Sequence, residues 1–242
     1  MSLELKNIGL HLGGRQVLEN ISLLMNQGEI VGLLGPNGAG KTTTFNLIIG
    51  LLKPDLGQVL LDQNQIAHYS MPSRARLGVG YLPQEPSIFR NLTVRENLDL
   101  ALIQSSLSKA ICRFRREQLI EDFHLHRFID RKGYQLSGGE RRRCEIARAL
   151  AVGSEGPRYL LLDEPFAGID PIAVSDLQNL IQKLSARGMG ILVTDHNVRE
   201  TLSITDSSYI LNDGKILAFG PSKELANNPQ VIRYYLGEGF KL

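Results

Sequence analysis

Apolar residues follow three different rhythms along this chain. The first is alternation. Leu3-Glu4-Leu5-Lys6 alternates, and strand character resumes over Val17–Leu24 after Gly13-Gly14, which predicts an antiparallel hairpin. Asn26-Gln27-Gly28 turns the chain onward. The second rhythm is the short unbroken apolar run. Ile30-Val31-Gly32-Leu33-Leu34, Leu77–Leu82, Tyr159–Asp163 and Ile191–Thr194 are of this kind and suit strands buried on both faces. Lys53-Pro54-Asp55 is a break, and Gly57–Leu61 reads as a further strand of the first β layer. Tyr209–Leu211 and Lys215–Leu217 flank Asn212-Asp213-Gly214, a hairpin turn.

The third rhythm is helical and runs from about 92 to 150. Leu107, Ile111 and Phe114 fall at i, i+4, i+7, which predicts the apolar face of a helix. Arg113, Arg115 and Arg116 lie on its other faces; with Glu117, Glu121 and Asp122 nearby, they read as a solvated surface. Cys144, Ala147, Leu150 and Ala151 recur at i, i+3, i+6, i+7, which makes Arg141–Leu150 a helix. Two short helices finish the chain, one with Ser222 as N-cap after Pro221. An antiparallel β layer, parallel strands joined by helices and a helical insert give an α/β fold.

The boundary between the Ile30–Leu34 run and the helix-compatible Thr43–Ile49 carries the clearest chemistry. It reads Gly35-Pro36-Asn37-Gly38-Ala39-Gly40-Lys41-Thr42, the phosphate-binding loop G-x-x-x-x-G-K-[ST]. Its glycines let backbone N–H groups converge on one point, and the following helix adds the positive end of its dipole. Lys41 would reach the β- and γ-phosphates, and the Thr42 hydroxyl would bind Mg²⁺. A second site lies at Asp163-Glu164, two carboxylates at the mouth of a buried strand. Asp163 would hold Mg²⁺ through water, and Glu164 would polarise a water for attack on the γ-phosphate. At Ser137-Gly138-Gly139 a hydroxyl and free N–H groups front a helix, a second anion site.

Composition adds limits. A net charge of +2, from 27 basic and 25 acidic residues, gives no push toward nucleic acid. Cys112 and Cys144 lack metal-type spacing and read as small hydrophobes in a reducing compartment. The N-terminus shows no signal-peptide pattern, and no run reaches the ~18 apolar residues of a membrane helix. The expectation is a soluble protein that meets a membrane only through partners.

The ordered set G-P-N-G-A-G-K-T, Gln84, L-S-G-G-E, L-L-L-D-E-P and His196 resembles the ABC-transporter ATPases over essentially the whole chain. The resemblance implies one nucleotide-binding domain over 1–242. It would have a P-loop NTPase (RecA-like) core, an N-terminal antiparallel β layer and a helical subdomain at about 92–150. It implies ATP and Mg²⁺ as ligands, with ATP on Gly35–Thr43 and the cation near Thr42, Gln84 and Asp163. Glu164 and His196 would be catalytic, His196 as the switch histidine. Ala167-Gly168-Ile169-Asp170 matches the D-loop. Two copies would pack head to tail, so that Ser137, Gly138 and Gly139 grip the partner's ATP. Gln84 would be the Q-loop residue, and Phe89 and Arg90, just past the Q-loop, would dock transmembrane subunits.

A narrower resemblance is to the ATPases of bacterial lipopolysaccharide exporters. It rests on Tyr81–Arg90, Gly138–Arg143, Asp163–Gly168, Asp195–Thr201 and the ending Tyr235–Leu242. It implies transmembrane partners of the LptF and LptG type, with LptC, and a place on the cytoplasmic face of the inner membrane. The stretch after Gln84 and the ending decide against the ATPase of a branched-chain amino-acid importer. A soluble ABC ATPase of DNA repair or translation would need a coiled-coil insertion or a second ATP domain. Two departures stand out. Leu12, with His11 beside it, occupies the place of the family's adenine-stacking aromatic. The segment 152–157 is longer than the usual link and reads as a surface loop.

Overall fold

A computed structural model describes residues 1–105 and 107–237. In chain order, β1 (Ser2–Leu12) and β2 (Arg15–Asn26) form the opening hairpin, and β3 (Ile30–Leu34) enters the P-loop and α1 (Lys41–Ile49). Next come β4 (Leu56–Leu61), β5 (Asn64–Gln65), α2 (Met71–Arg76) and β6 (Val79–Leu82). The helical region holds α3 (Val94–Ile103), α4 (Lys109–Asp122) and α5 (Gly138–Ala149). The chain then alternates: β7 (Tyr159–Asp163), α6 (Pro171–Ala186), β8 (Gly190–Thr194), α7 (Val198–Leu202), β9 (Ser207–Asn212) and β10 (Lys215–Pro221). It ends in α8 (Ser222–Leu225), α9 (Pro229–Val231) and a π-helical turn at Ile232–Leu236.

Two sheets form. The first is antiparallel, in the order β2-β1-β4-β5. The second runs β10-β9-β3-β8-β7-β6 and is parallel except for the β9–β10 hairpin. Both hairpin turns follow from backbone chemistry: Gly13 and Gly14 have φ 58 and 78, Asp213 and Gly214 φ 46 and 73, the signature of type I′ turns. The unbroken apolar runs bury both faces of the parallel sheet. Leu160, Leu162, Ile191 and Val193 face one core with the helical region; Tyr159, Leu161, Leu192, Val31 and Leu33 face the other, against α1 and the antiparallel sheet. A period of two splits each strand between two cores.

Several elements depart from the sequence pattern. The P-loop helix begins at Lys41 rather than Thr43, because Gly40 caps it in a left-handed conformation (φ 107). Ser222 is not an N-cap. Pro221 holds that position, and the Ser222 hydroxyl is buried against Thr205 Oγ1 (2.7 Å) and Ser208 Oγ (2.8 Å). Leu107, Ile111 and Phe114 do not mark the packed face of α4: Ile111 is 41% and Phe114 63% exposed. The packed face carries Cys112, Arg115, Arg116, Leu119 and Ile120. Arginines can lie there because their guanidiniums reach partners, Arg116 through an ion pair of its Nη1 with both oxygens of Asp99 of α3 (2.8 and 3.1 Å) and Arg115 through its Nη2 on the Leu150 carbonyl (3.2 Å), although the buried Arg115 Nε has none. Their stems then pack like hydrocarbon. The pattern also passed over α2, α6 and α7. The α6 signals are Asp170, which accepts from the Ile172 and Ala173 N–H groups, then Pro171 and buried Val174, Leu177, Ile181 and Leu184. Of the Tyr235–Leu242 ending, residues 238–242 lie outside the described residues.

One buried charge ties α2 to the P-loop helix. Arg74, 1% exposed, donates to the carbonyls of Leu47 (2.6 Å), Ile48 (2.7 Å), Tyr69 (3.1 Å) and Ala67 (3.0 Å). Leu47 and Ile48 belong to the last turn of α1, whose carbonyls have no partner within the helix. Burial pulls the guanidinium down to about 10, and no carboxylate is among its hydrogen-bond partners. Arg74→Met keeps most of the apolar stem and strands four carbonyls. The expected cost is about 3 kcal/mol, roughly a 6–12 °C fall in thermal midpoint. A midpoint within about 2 °C of the parent would show that water replaces the guanidinium at little cost.

Candidate active site

The parallel register aligns the chemistry. Leu82 pairs with Leu162 and Asp163 with Thr194. Gln84 and Glu164 therefore lie two residues beyond one matched pair, and His196 leaves the neighbouring strand end. Gly35 leaves β3, which pairs with β8 through Gly32 and Val193. All four reach the carboxyl edge of the sheet, where ligands of open α/β sheets bind.

The P-loop wraps around this edge. A side chain at Gly35 (φ 153) would put a Cβ 2.0 Å from the Leu211 carbonyl oxygen, so only glycine fits. Pro36, Asn37 and Gly38 form the open rim, while Ala39 and Gly40 are buried. Lys41 is buried, and its Nζ donates to the Gly35 (2.7 Å) and Pro36 (3.0 Å) carbonyls. Burial holds its amine below the usual lysine range, opposed by the charges of Glu164 and Asp163. Thr42 is exposed and Thr43 half-buried, while Thr44 is turned inward onto the Gly40 carbonyl (2.9 Å).

Glu164 is the centre of a cluster. Its Oε1 lies 2.8 Å from His196 Nε2, and its Oε2 accepts from Gln84 Nε2 at 3.0 Å. Its backbone is left-handed, φ 49, and its N–H donates to the Thr194 carbonyl (2.8 Å). Asp163 beside it is buried, within 3.5 Å of the Tyr81 hydroxyl. Burial first, then the charge of Glu164, pushes the Asp163 carboxyl up to about 6. Such a site offers hard oxygen donors, Asp163, the exposed Thr42 hydroxyl and the Gln84 amide, which fits a small divalent cation. Asp195 was not singled out by itself in the sequence. Its buried carboxylate accepts from the Phe166 and Asn197 N–H groups (2.8 Å each) and so shapes the turn that carries His196.

The Ser137-Gly138-Gly139 segment starts α5 as a capping box. Ser137 Oγ accepts from the Glu140 N–H, and Glu140 accepts from the Ser137 N–H (2.9 Å). Gly139 is required for closeness, because a Cβ there would meet that of Ala173 at 2.8 Å. This helix end lines an open hollow of about 520 Å³ with Asp170, Ala173, His126 and Arg127, and none of its lining residues among those described belongs to the P-loop.

At the hairpin, Leu12 is 40% exposed and pairs across the turn with Arg15. His11 is tied to Asp55 by backbone N–H (2.7 Å) and ring (3.2 Å). Past the Q-loop, Phe89 does not pack inside the helical region: it is 47% exposed, with the Arg148 guanidinium 4.7 Å over its ring. Its backbone is clamped by the buried Asn97 amide (2.9 and 3.1 Å), and Arg90 beside it is exposed.

Residues 18–167 match the ABC transporter family. The lipopolysaccharide export system ATP-binding protein LptB of Acidithiobacillus ferridurans is 53% identical over 228 residues, 94% of this chain and 93% of that protein. A nucleotide-free ATP-binding cassette from an ABC transporter superposes with a TM-score of 0.87 at 30% identity, covering 98% of this chain and all of the other. A dimeric cassette in a post-hydrolysis state with ADP and Pi gives 0.78 at 28% identity, over 91% of this chain and 98% of that one. A likeness that runs through both sequence and fold has one explanation: the chain belongs to the ATP-binding subunits of the ABC transporter family.

Proposed function

We propose that this ABC ATPase works as a head-to-tail homodimer that powers lipopolysaccharide extraction from the inner membrane. The observation that carries the catalytic part is the Glu164 carboxylate, held between Gln84 and His196 at the mouth of the P-loop. In this reading the chain 1–242 is one nucleotide-binding domain with its helical subdomain at about 92–150. Lys41 exchanges its bonds to Gly35 and Pro36 for the β- and γ-phosphate oxygens of ATP. The N–H groups of Gly38–Thr43 surround the same phosphates. Leu12 offers the adenine an apolar edge.

Glu164 accepts a proton from the attacking water, and the Gln84 and His196 contacts fix its direction. His196 also donates to the γ-phosphate. Thr42, Asp163 and Gln84 would hold Mg²⁺, which neutralises phosphate charge when bound. Ser137, Gly138 and Gly139 act on the partner's ATP. The hollow beside them is open and includes the N-terminus of α5, with Arg127 and Arg143 on its wall, which suits an anionic group supplied in trans.

The cargo rests on the named relative, which is more than half identical over nearly the whole chain. Among the described residues no helix is long and apolar enough to cross a membrane. In this reading the transmembrane partners are separate subunits of the LptF and LptG type, with LptC. The ATPase then sits on the cytoplasmic face. Phe89 and Arg90 are the docking residues, because an exposed ring held by a rigid backbone is suited to anchor an incoming helix.

Glu164→Gln keeps the shape of the side chain but removes the base. ATP binding should persist, hydrolysis should fall by ~10²–10⁴-fold, and an ATP-bound dimer should accumulate on sizing chromatography. Normal turnover, or a variant that binds ATP and stays monomeric, would contradict the scheme. For docking, Phe89→Ala should leave a folded ATPase with an unchanged thermal midpoint that no longer copurifies with its transmembrane subunits. Undiminished copurification would remove Phe89 from the interface.

A further inference from the structure

Among the described residues, the buried charge with the most hydrogen bonds serves no role in the scheme above. Arg142, on the second turn of α5, is 6% exposed. Its Nε donates to the Pro165 carbonyl at 3.1 Å. Its Nη2 donates to the carbonyls of Asp163 (3.0 Å) and Glu164 (2.7 Å). Its Nη1 donates to the Pro83 carbonyl and to Glu145 Oε2, both at 3.2 Å. Glu145, one turn further along α5, is equally buried, and its Oε1 accepts from the N–H groups of Ser87 (2.8 Å) and Ile88 (3.2 Å). One buried ion pair on α5 therefore holds three consecutive carbonyls at the end of β7 and both flanks of Gln84.

The backbone it holds is strained. Glu164 has φ 49, a conformation that costs a non-glycine residue energy and persists only where its surroundings impose it. Two bonds impose it: the Glu164 N–H to the Thr194 carbonyl, and the Arg142 guanidinium on the Glu164 carbonyl. A planar guanidinium can address several carbonyls at fixed angles, which a lysine ammonium cannot do.

We propose that Arg142, braced by Glu145, is a positioning residue for hydrolysis. It keeps Glu164 in its left-handed conformation and fastens that residue and the Q-loop to the helix whose N-terminus carries Ser137-Gly138-Gly139. A helix drawn onto the partner's nucleotide then moves the carboxylate and the Gln84 loop of its own site as one piece. Each site is set by occupancy of the other. The proposal rests on Glu164 as the base.

The test uses the full-length subunit. Arg142→Lys keeps the charge beside Glu145 and loses the fork. A second variant, Arg142→Met with Glu145→Gln, removes both charges while retaining volume and the Ser87 and Ile88 acceptor. Displacing a catalytic group slightly can cost ~10²-fold, so kcat should fall roughly 10- to 100-fold while KM for ATP stays within about twofold. The Hill coefficient for ATP should fall toward one. Adding Arg142→Lys to Glu164→Gln should lower the residual rate no more than about twofold, since both changes act through one carboxylate. An unchanged kcat, losses that multiply in the double variant, a KM that rises in step with the fall in kcat, or loss of the fold in both variants would overturn the proposal. If Glu164→Gln alone turns over normally, the base assignment fails and takes this inference with it.

Discussion

Everything at the nucleotide site depends on burial of the parallel sheet from both sides. Strands with apolar residues on every position must be covered by two layers, and the covering layers fix their register. Because β6, β7, β8 and β3 are parallel and in step, the residues that follow them emerge side by side. Gln84, Glu164, His196 and Gly35 are far apart in the chain and adjacent in space for that reason alone. A slip of one residue in any pair would turn apolar side chains of one core toward the other and carry a member of the cluster away from Glu164. The stability of the cores and the geometry of the site are thus one constraint.

The sheet was legible in the sequence because its signals are local: a run of apolar residues, a Gly-Gly or Asn-Asp-Gly turn, a loop of fixed spacing. The helices of the insert were less so. On α4 the spacing of Leu107, Ile111 and Phe114 described a helix face correctly and assigned it to the wrong side. Which side packs was decided by Asp99, ten residues before the helix begins, through its ion pair with Arg116. Periodicity cannot see a partner on another element. The roles of Arg74, Asp195, Arg142 and Glu145 were hidden in much the same way, although Asp195 and Arg142 fall within stretches that carry the family resemblance. Each is a charged residue with at least one partner among carbonyls or N–H groups remote in sequence, which folding alone brings near. The P-loop, Asp163, Glu164 and Ser137 were legible because their chemistry is written in consecutive residues, whereas His196 acquired meaning only through the family pattern.

The same contrast separates the two kinds of charge in the protein. Ion pairs on the surface, such as Arg95 with Asp130, are exposed and contribute little. The buried guanidiniums of Arg74 and Arg142 bond mainly to backbone, and they sit behind the P-loop helix and behind the end of β7 respectively. These two cations, unlike Lys41, are placed on the far side of the machinery, where they organise backbone rather than substrate.

For Arg74 this placement has an electrostatic result at the opposite end of α1. A helix of nine residues is only ~13 Å long, so a phosphate at its N-terminus feels the partial negative charge of the C-terminus as well as the positive charge beside it. A full cation bonded to the Leu47 and Ile48 carbonyls cancels that negative pole. Seen from the phosphate, α1 then behaves less as a dipole than as a single positive end. Because Arg74 is enclosed by protein, the ions of the solvent do little to screen it.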